Sequence, residues 1–91
     1  MKITDVDIAR GHLLLGLSDG RWAYVQGEMV LGMKFYADYR GKWYWIRKPK
    51  GTIYLLADSD VVAPMGDADK DALSAAIKEY FSDTKYRVIV D

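Results

Sequence analysis

Hydrophobic and polar positions alternate along the first half of the chain and switch to a three- and four-residue spacing after residue 67, which predicts a run of strands followed by one helix. Lys2 to Ala9 is a first strand with Val6 and Ile8 on one face, and Ile3 falls on the other unless a bulge intervenes. His12 to Ser18 and Arg21 to Gln26 flank Asp19-Gly20, a dipeptide that favours the positive φ angles of a type I′ hairpin turn. A two-residue turn sets Leu17 opposite Trp22, Leu15 opposite Tyr24 and Leu13 opposite Gln26. Leu13, Leu15, Leu17, Trp22 and Tyr24 are then expected to share the core face, with Gly16, Ser18, Arg21 and Ala23 behind them.

A second hairpin is expected to join Lys34–Arg40 with Lys42–Lys48 across Gly41. It places Phe35, Ala37 and Tyr39 on one face and Lys34, Tyr36, Asp38 and Arg40 on the other. In its return strand either Tyr44 and Ile46 or Trp43, Trp45 and Arg47 face inward. The first choice is favoured because Ile46 is the sole aliphatic residue there. Pro49, Lys50 and Gly51 make a turn, Thr52 to Ala57 a further strand, and Asp58 to Gly66 an acidic loop with a short strand at Val61 and Val62. From Asp67, whose carboxylate is placed to cap the first turn with help from Asp69 and Asp71, a helix presents Leu73, Ala76, Ile77, Tyr80 and Phe81 on one face. Tyr86 to Val90 closes the chain as a strand. The expected fold is α+β, a single domain over residues 1–91: a mainly antiparallel sheet of five to six strands, one C-terminal amphipathic helix packed on it, and a final short strand.

A chain of 91 residues has room for one core, and 51% hydrophobic residues suffice to build it. The absence of cysteine excludes a disulfide framework, and no stretch reads as a signal peptide or membrane span, so a soluble cytoplasmic protein is expected. Thirteen basic and thirteen acidic residues cancel, yet they are unevenly spread. Residues 34–50 carry six basic and one acidic residue, whereas residues 51–91 carry four basic and eight acidic. Such asymmetry bears on partners and encounter rates.

The sequence offers no catalytic set. With no cysteine and one histidine, His12, neither a thiol nucleophile nor a serine triad around Ser18 or Ser74 has the required context. Zinc sites need spaced Cys and His. The acids from Asp58 to Asp71 lack the glycine and distal glutamate of a calcium loop, and no phosphate-binding glycine motif is present. No cofactor or metal is expected.

Chemistry concentrates in Lys34–Lys50, where six aromatics interleave with the six cations. Three accounts compete for it. The aromatics are strand formers with cations keeping an edge soluble. Alternatively, bases stack on Tyr36, Trp43 or Trp45 while Arg40, Lys42, Arg47, Lys48 and Lys50 follow phosphates, against which stand the zero net charge and a pI near 6.6. Or the same Trp, Tyr and Arg residues anchor a protein partner, as such residues do at binding hot spots.

The order of features resembles that of bacterial immunity proteins, the cytoplasmic antidotes of polymorphic and contact-dependent growth inhibition toxins. The resemblance is carried by the opening Met1-Lys2-Ile3-Thr4, a hairpin ending in Gly27-Glu28-Met29, the aromatic stretch with Trp45 and Pro49, and a helix with Leu73, Ile77 and Phe81 before a terminal strand. It implies a protein that binds a cognate toxin domain one to one, with no enzymatic activity and no membrane or nucleic-acid partner. On that basis Tyr36, Arg40, Trp43, Trp45 and Arg47 are the expected contact set, and Glu28, Asp58 and Asp60 the alternative if the toxin presents a basic cleft. A single-stranded nucleic-acid-binding module using residues 34–50 is the competing expectation.

Overall fold

The computed structural model describes residues 1–51 and 55–91 and has the expected α+β architecture. Seven strands are present among these residues: β1 (Ile3–Ile8), β2 (His12–Leu17), β3 (Trp22–Val30), β4 (Lys34–Ala37), β5 (Trp43–Ile46), β6 (Val61–Pro64) and β7 (Arg87–Val90). The single helix, α1, spans Asp67–Phe81. Part of the strand expected at Thr52–Ala57 lies outside the described residues, and Leu55–Ala57 is not strand.

The nine-residue β3 organises the sheet. It pairs antiparallel with β2, which pairs in turn with β1. Its other edge is shared: residues 22–25 pair with β5 and residues 27–30 with β4. The sheet therefore forks, one branch ending in β6 beyond β5 and the other in β7 beyond β4. All pairings are antiparallel except β4 with β7. Right-handed strand twist carried through this fork curls the sheet around α1, which meets both β1 and β7.

The first hairpin departs from the expected register by one residue. Leu13 pairs with Val25, Leu14 with Tyr24 and Leu15 with Ala23, so the loop is the three residues Ser18-Asp19-Gly20. The Gly20 amide donates to the Leu17 carbonyl, the Leu17 amide donates to Arg21, and Gly20 adopts φ +90°. This is a turn followed by a left-handed residue, the other common hairpin solution for an Asp-Gly pair. Asp19 supports it by accepting from both the Arg21 amide and the Arg21 Nε. The amide first, and the guanidinium after it, hold the Asp19 carboxyl below the usual carboxylate range. The slip reverses every β3 side chain: Ala23 and Val25, rather than Trp22 and Tyr24, join Leu13, Leu15 and Leu17 in the core.

Ile3 also joins that core, because a bulge between Ile3 and Asp5 brings it to the side of Val6 and Ile8. Leu73, Ala76 and Ile77 of α1 close the core, with Phe81 packed against it, while Tyr80 stays exposed. The reverse face of β2 and β3 is not bare. Leu14 is buried there, Trp22 lies over Gly16, and the rings of His12, Tyr24 and Tyr44 form a row with centroid separations of 5.0 and 6.2 Å. Burial of the Tyr24 phenol, and after it the charge of Tyr44, push its ionisation upward.

Candidate interaction surface

The expected hairpin between Lys34–Arg40 and Lys42–Lys48 does not form, because β4 and β5 lie end to end on one edge of β3. The turn between them is a step along that edge. The Asp38 amide donates to the Gln26 carbonyl and the Gln26 amide donates to Lys42, while the Arg40 amide is held by the Asp38 carboxylate at 3.1 Å. Gly41 fits because a Cβ there would come within 2.8 Å of Gln26 Oε1. The partner of β4 in sequence is instead β3, across Leu31-Gly32-Met33, where Gly32 and Met33 have φ of +86° and +58°.

This change of pairing inverts β5. Trp43 and Trp45 face α1, and Tyr44 and Ile46 the reverse side, so the favoured inward assignment of Tyr44 and Ile46 to the main core is corrected. Ile46 is buried all the same, outside that core. Trp43 is 1% exposed and its Nε1 donates to the Asp38 carbonyl at 2.7 Å. Its place in the expected contact set is withdrawn, since its ring is spent on the core. Trp45 is half-buried, its Nε1 donating to Asp69 at 3.3 Å and its ring lying 4.3 Å beneath the Arg21 guanidinium.

The first turns of α1 serve these aromatics. The N-cap is Gly66, with no side-chain cap, so Asp67 is the first helical residue and not the cap expected of it. Asp69 receives Trp45, and Asp71 accepts from the Tyr39 hydroxyl at 2.7 Å. Lys70 Nζ donates to the Tyr39 carbonyl and stands 5.1 Å from the Tyr39 ring centre. The hydrogen bond to Asp71, reinforced by partial desolvation and by the charges of Asp71 and Asp67, pushes the Tyr39 phenol up to about 12. Acids and aromatics that looked like separate features of the sequence are one fastening between sheet and helix.

The remaining expected contacts are scattered. Arg40 is exposed in the 38–42 turn, and Arg47 donates from Nε to the Ser59 carbonyl beside the short 3-10 helix Asp58–Asp60. In the alternative set, Asp60 accepts from the Ala57 amide at 3.0 Å and Asp58 lies near Tyr24, Lys42 and Tyr44, whereas Glu28 belongs to the other branch of the sheet. His12 is buried in the ring row, beside a groove of about 680 Å³ whose walls include Asp7, Arg10, Tyr24 and Met29 but no serine.

Tyr36 leads to a surface that sequence reasoning missed. On the solvent side of β3, β4 and β7 the register builds three cross-strand rows. Val30, Lys34 and Arg87 form the first, Glu28, Tyr36 and Ile89 the second, and Gln26, Asp38 and Asp91 the third. Tyr36 and Ile89 are each 39% exposed, and beyond the Lys34–Arg87 row the hairpin tip exposes Met33 and Leu31, the latter 97%. Around Tyr36 the surface dips into a hollow walled by Gln26, Gly27, Glu28, Asp38 and Asp91. The signal was present in the alternation of Lys34-Phe35-Tyr36-Ala37 and Arg87-Val88-Ile89-Val90, but only the parallel β4–β7 pairing sets the two polar faces side by side.

Compared with known proteins, the chain matches no family model, no curated protein and no solved structure. Among the described residues no helix is long and apolar enough to cross a membrane, and no group of three or more His, Cys, Asp or Glu is arranged to hold a metal ion.

Proposed function

We propose that the protein acts by stoichiometric association with a protein partner, and that it is an immunity protein whose partner is a bacterial toxin domain. The observation that carries the proposal is the pair Tyr36 and Ile89, left exposed side by side on β4 and β7 between a cationic row and an acidic row, with exposed Leu31 and Met33 at the adjoining hairpin tip. An apolar centre with a charged rim is the anatomy of protein interfaces. Fully burying a side chain as open as Leu31 contributes about 1.5–3 kcal/mol, enough to make it an anchor. The toxin assignment is supported by the resemblance of the opening strand, the Gly27-Glu28-Met29 segment and the C-terminal helix to immunity proteins. Neutralisation in this account needs only occlusion of the toxin's active or substrate-binding surface.

The nucleic-acid alternative is less favoured. It requires rings and cations on one face, whereas Trp43 and Trp45 are engaged with the core and α1, and Tyr36 borders a hollow that carries Glu28, Asp38 and Asp91. The test is co-purification of the tagged protein with the C-terminal domain of the protein encoded immediately upstream, followed by size-exclusion chromatography in moderate salt. A one-to-one complex is expected. Separate elution of the two chains would remove the proposal.

A further inference from the structure

The three rows on the face of β3, β4 and β7 are ordered by charge. The row nearest the hairpin tip carries Lys34 and Arg87. The row furthest from it carries Asp38 and Asp91, and Glu28 sits in the acidic hollow beside Tyr36. Successive rows are two residues apart on each strand, so cationic and anionic ends are separated by about 13 Å. Lys34 and Arg87 are direct cross-strand neighbours, an arrangement of like charges that disfavours the sheet. Neither takes part in an ion pair, the pair among the described residues being Arg21 with Asp19. An arrangement that costs the fold and finds no compensation within it points to compensation from outside.

Resting on the reading of the protein as a stoichiometric binder, we infer that its partner presents a polarised counter-surface: carboxylates against Lys34 and Arg87, apolar side chains over Tyr36 and Ile89, and a lysine or arginine entering the Glu28, Asp38 and Asp91 hollow. Charge complementarity selects this occupant over the other candidates. A nucleic acid or an anionic lipid surface is negative throughout. Either would gain at Lys34 and Arg87 but meet repulsion from the acids one and two rows away. A protein surface alternates sign over such a distance without difficulty. The polarity also fixes orientation, since turning the partner end for end would oppose like charges at both ends.

The test measures affinity of the unmodified protein, Lys34→Glu and Glu28→Lys for the upstream-encoded toxin domain, and in parallel for an oligothymidylate and for phosphatidylserine vesicles. Thermal unfolding confirms that each variant remains folded, and Arg87→Glu replaces Lys34→Glu if that variant does not. Both substitutions are expected to weaken toxin binding by about tenfold or more, because each reverses one end of the complementary pattern. Glu28→Lys is the deciding variant. Binding that tightens or stays unchanged with Glu28→Lys, or that appears only with the oligothymidylate or the vesicles, overturns the inference while a wild-type complex would leave the binder reading in place. Failure of the unmodified protein to bind the toxin domain overturns both.

Discussion

Gly27 shows how a single residue fixes the fork in the sheet. A Cβ at this position would lie 2.3 Å from the Tyr36 carbonyl oxygen and 2.4 Å from the Phe35 ring, and the first of these is backbone that cannot swing aside. Gly27→Ala is therefore expected to destabilise the protein by about 1–3 kcal/mol or more, through displacement of β4 from β3. Urea unfolding would show this as a lower midpoint, and an unchanged midpoint would mean that β4 yields freely. Tyr39 is a residue whose role is visible through pH. Its phenol ionises at about 12 in the folded protein because the hydroxyl is donated to Asp71. The unfolded chain ionises near 10, so the contribution of this bond is fully present below pH ~10 and is lost as pH rises through ~12. An ultraviolet titration should find a late-ionising tyrosine that disappears in Tyr39→Phe, whose stability should also depend less on pH over that interval. Burial likewise raises the ionisation of Tyr24 and Tyr86, so the assignment rests on the variant rather than on the wild-type curve.

At the scale of elements, loop length decides which face of β3 is buried. Closing the full chain on Asp19-Gly20 alone would pair Leu17 with Trp22 and draw Trp22 and Tyr24 toward the core, whereas removing Ser18 leaves a two-residue Asp19-Gly20 turn between Leu17 and Arg21 and so keeps the native pairs and the buried Ala23 and Val25. The deletion is expected to retain a cooperative thermal transition, and loss of that transition would contradict the register. The same example marks how far the fold can be read from the chain. Alternation and helical spacing locate β1, β2, β3 and α1, because burial imposes a period on the residues themselves, and Ile3 stands out of that period where the structure has its bulge. The Asp-Gly dipeptide, however, is compatible with turns of two or three residues, and one residue is the whole difference between faces. Pairing across long sequence separations leaves weaker traces. Nothing local to Trp43-Tyr44-Trp45-Ile46 says that it continues the edge already used by β4, and without that fact its inward face is read backwards. The candidate site suffered for the same reason: the cluster most conspicuous in the sequence is fastened to the helix, whereas the exposed strip arises from β4 and β7, some fifty residues apart.

Over the whole molecule, the aromatic and charged residues divide into two populations with different work. Trp43, Trp45 and Tyr39 bind the sheet to the start of α1 and hold the curled fork together. Tyr36, Ile89, Met33 and Leu31 are left facing outward beneath an ordered set of charges, and the zero net charge conceals that order. The division makes a prediction of its own: perturbing the first population should lower stability, and perturbing the second should lower affinity with little change in stability. Tyr36→Ala, which removes an exposed ring, is expected to weaken toxin binding by about 2 kcal/mol while moving the unfolding midpoint little. Equal binding by Tyr36→Ala and the wild type would place the interface elsewhere. The most direct measurement is a titration of the isotopically labelled protein with the unlabelled upstream toxin domain, followed by amide chemical shifts. The account predicts the largest changes at 28–36 and 87–91, on β3, β4, their connecting tip and β7. Changes confined to Arg40, Lys42, Arg47 and the Asp58–Asp60 turn would contradict it.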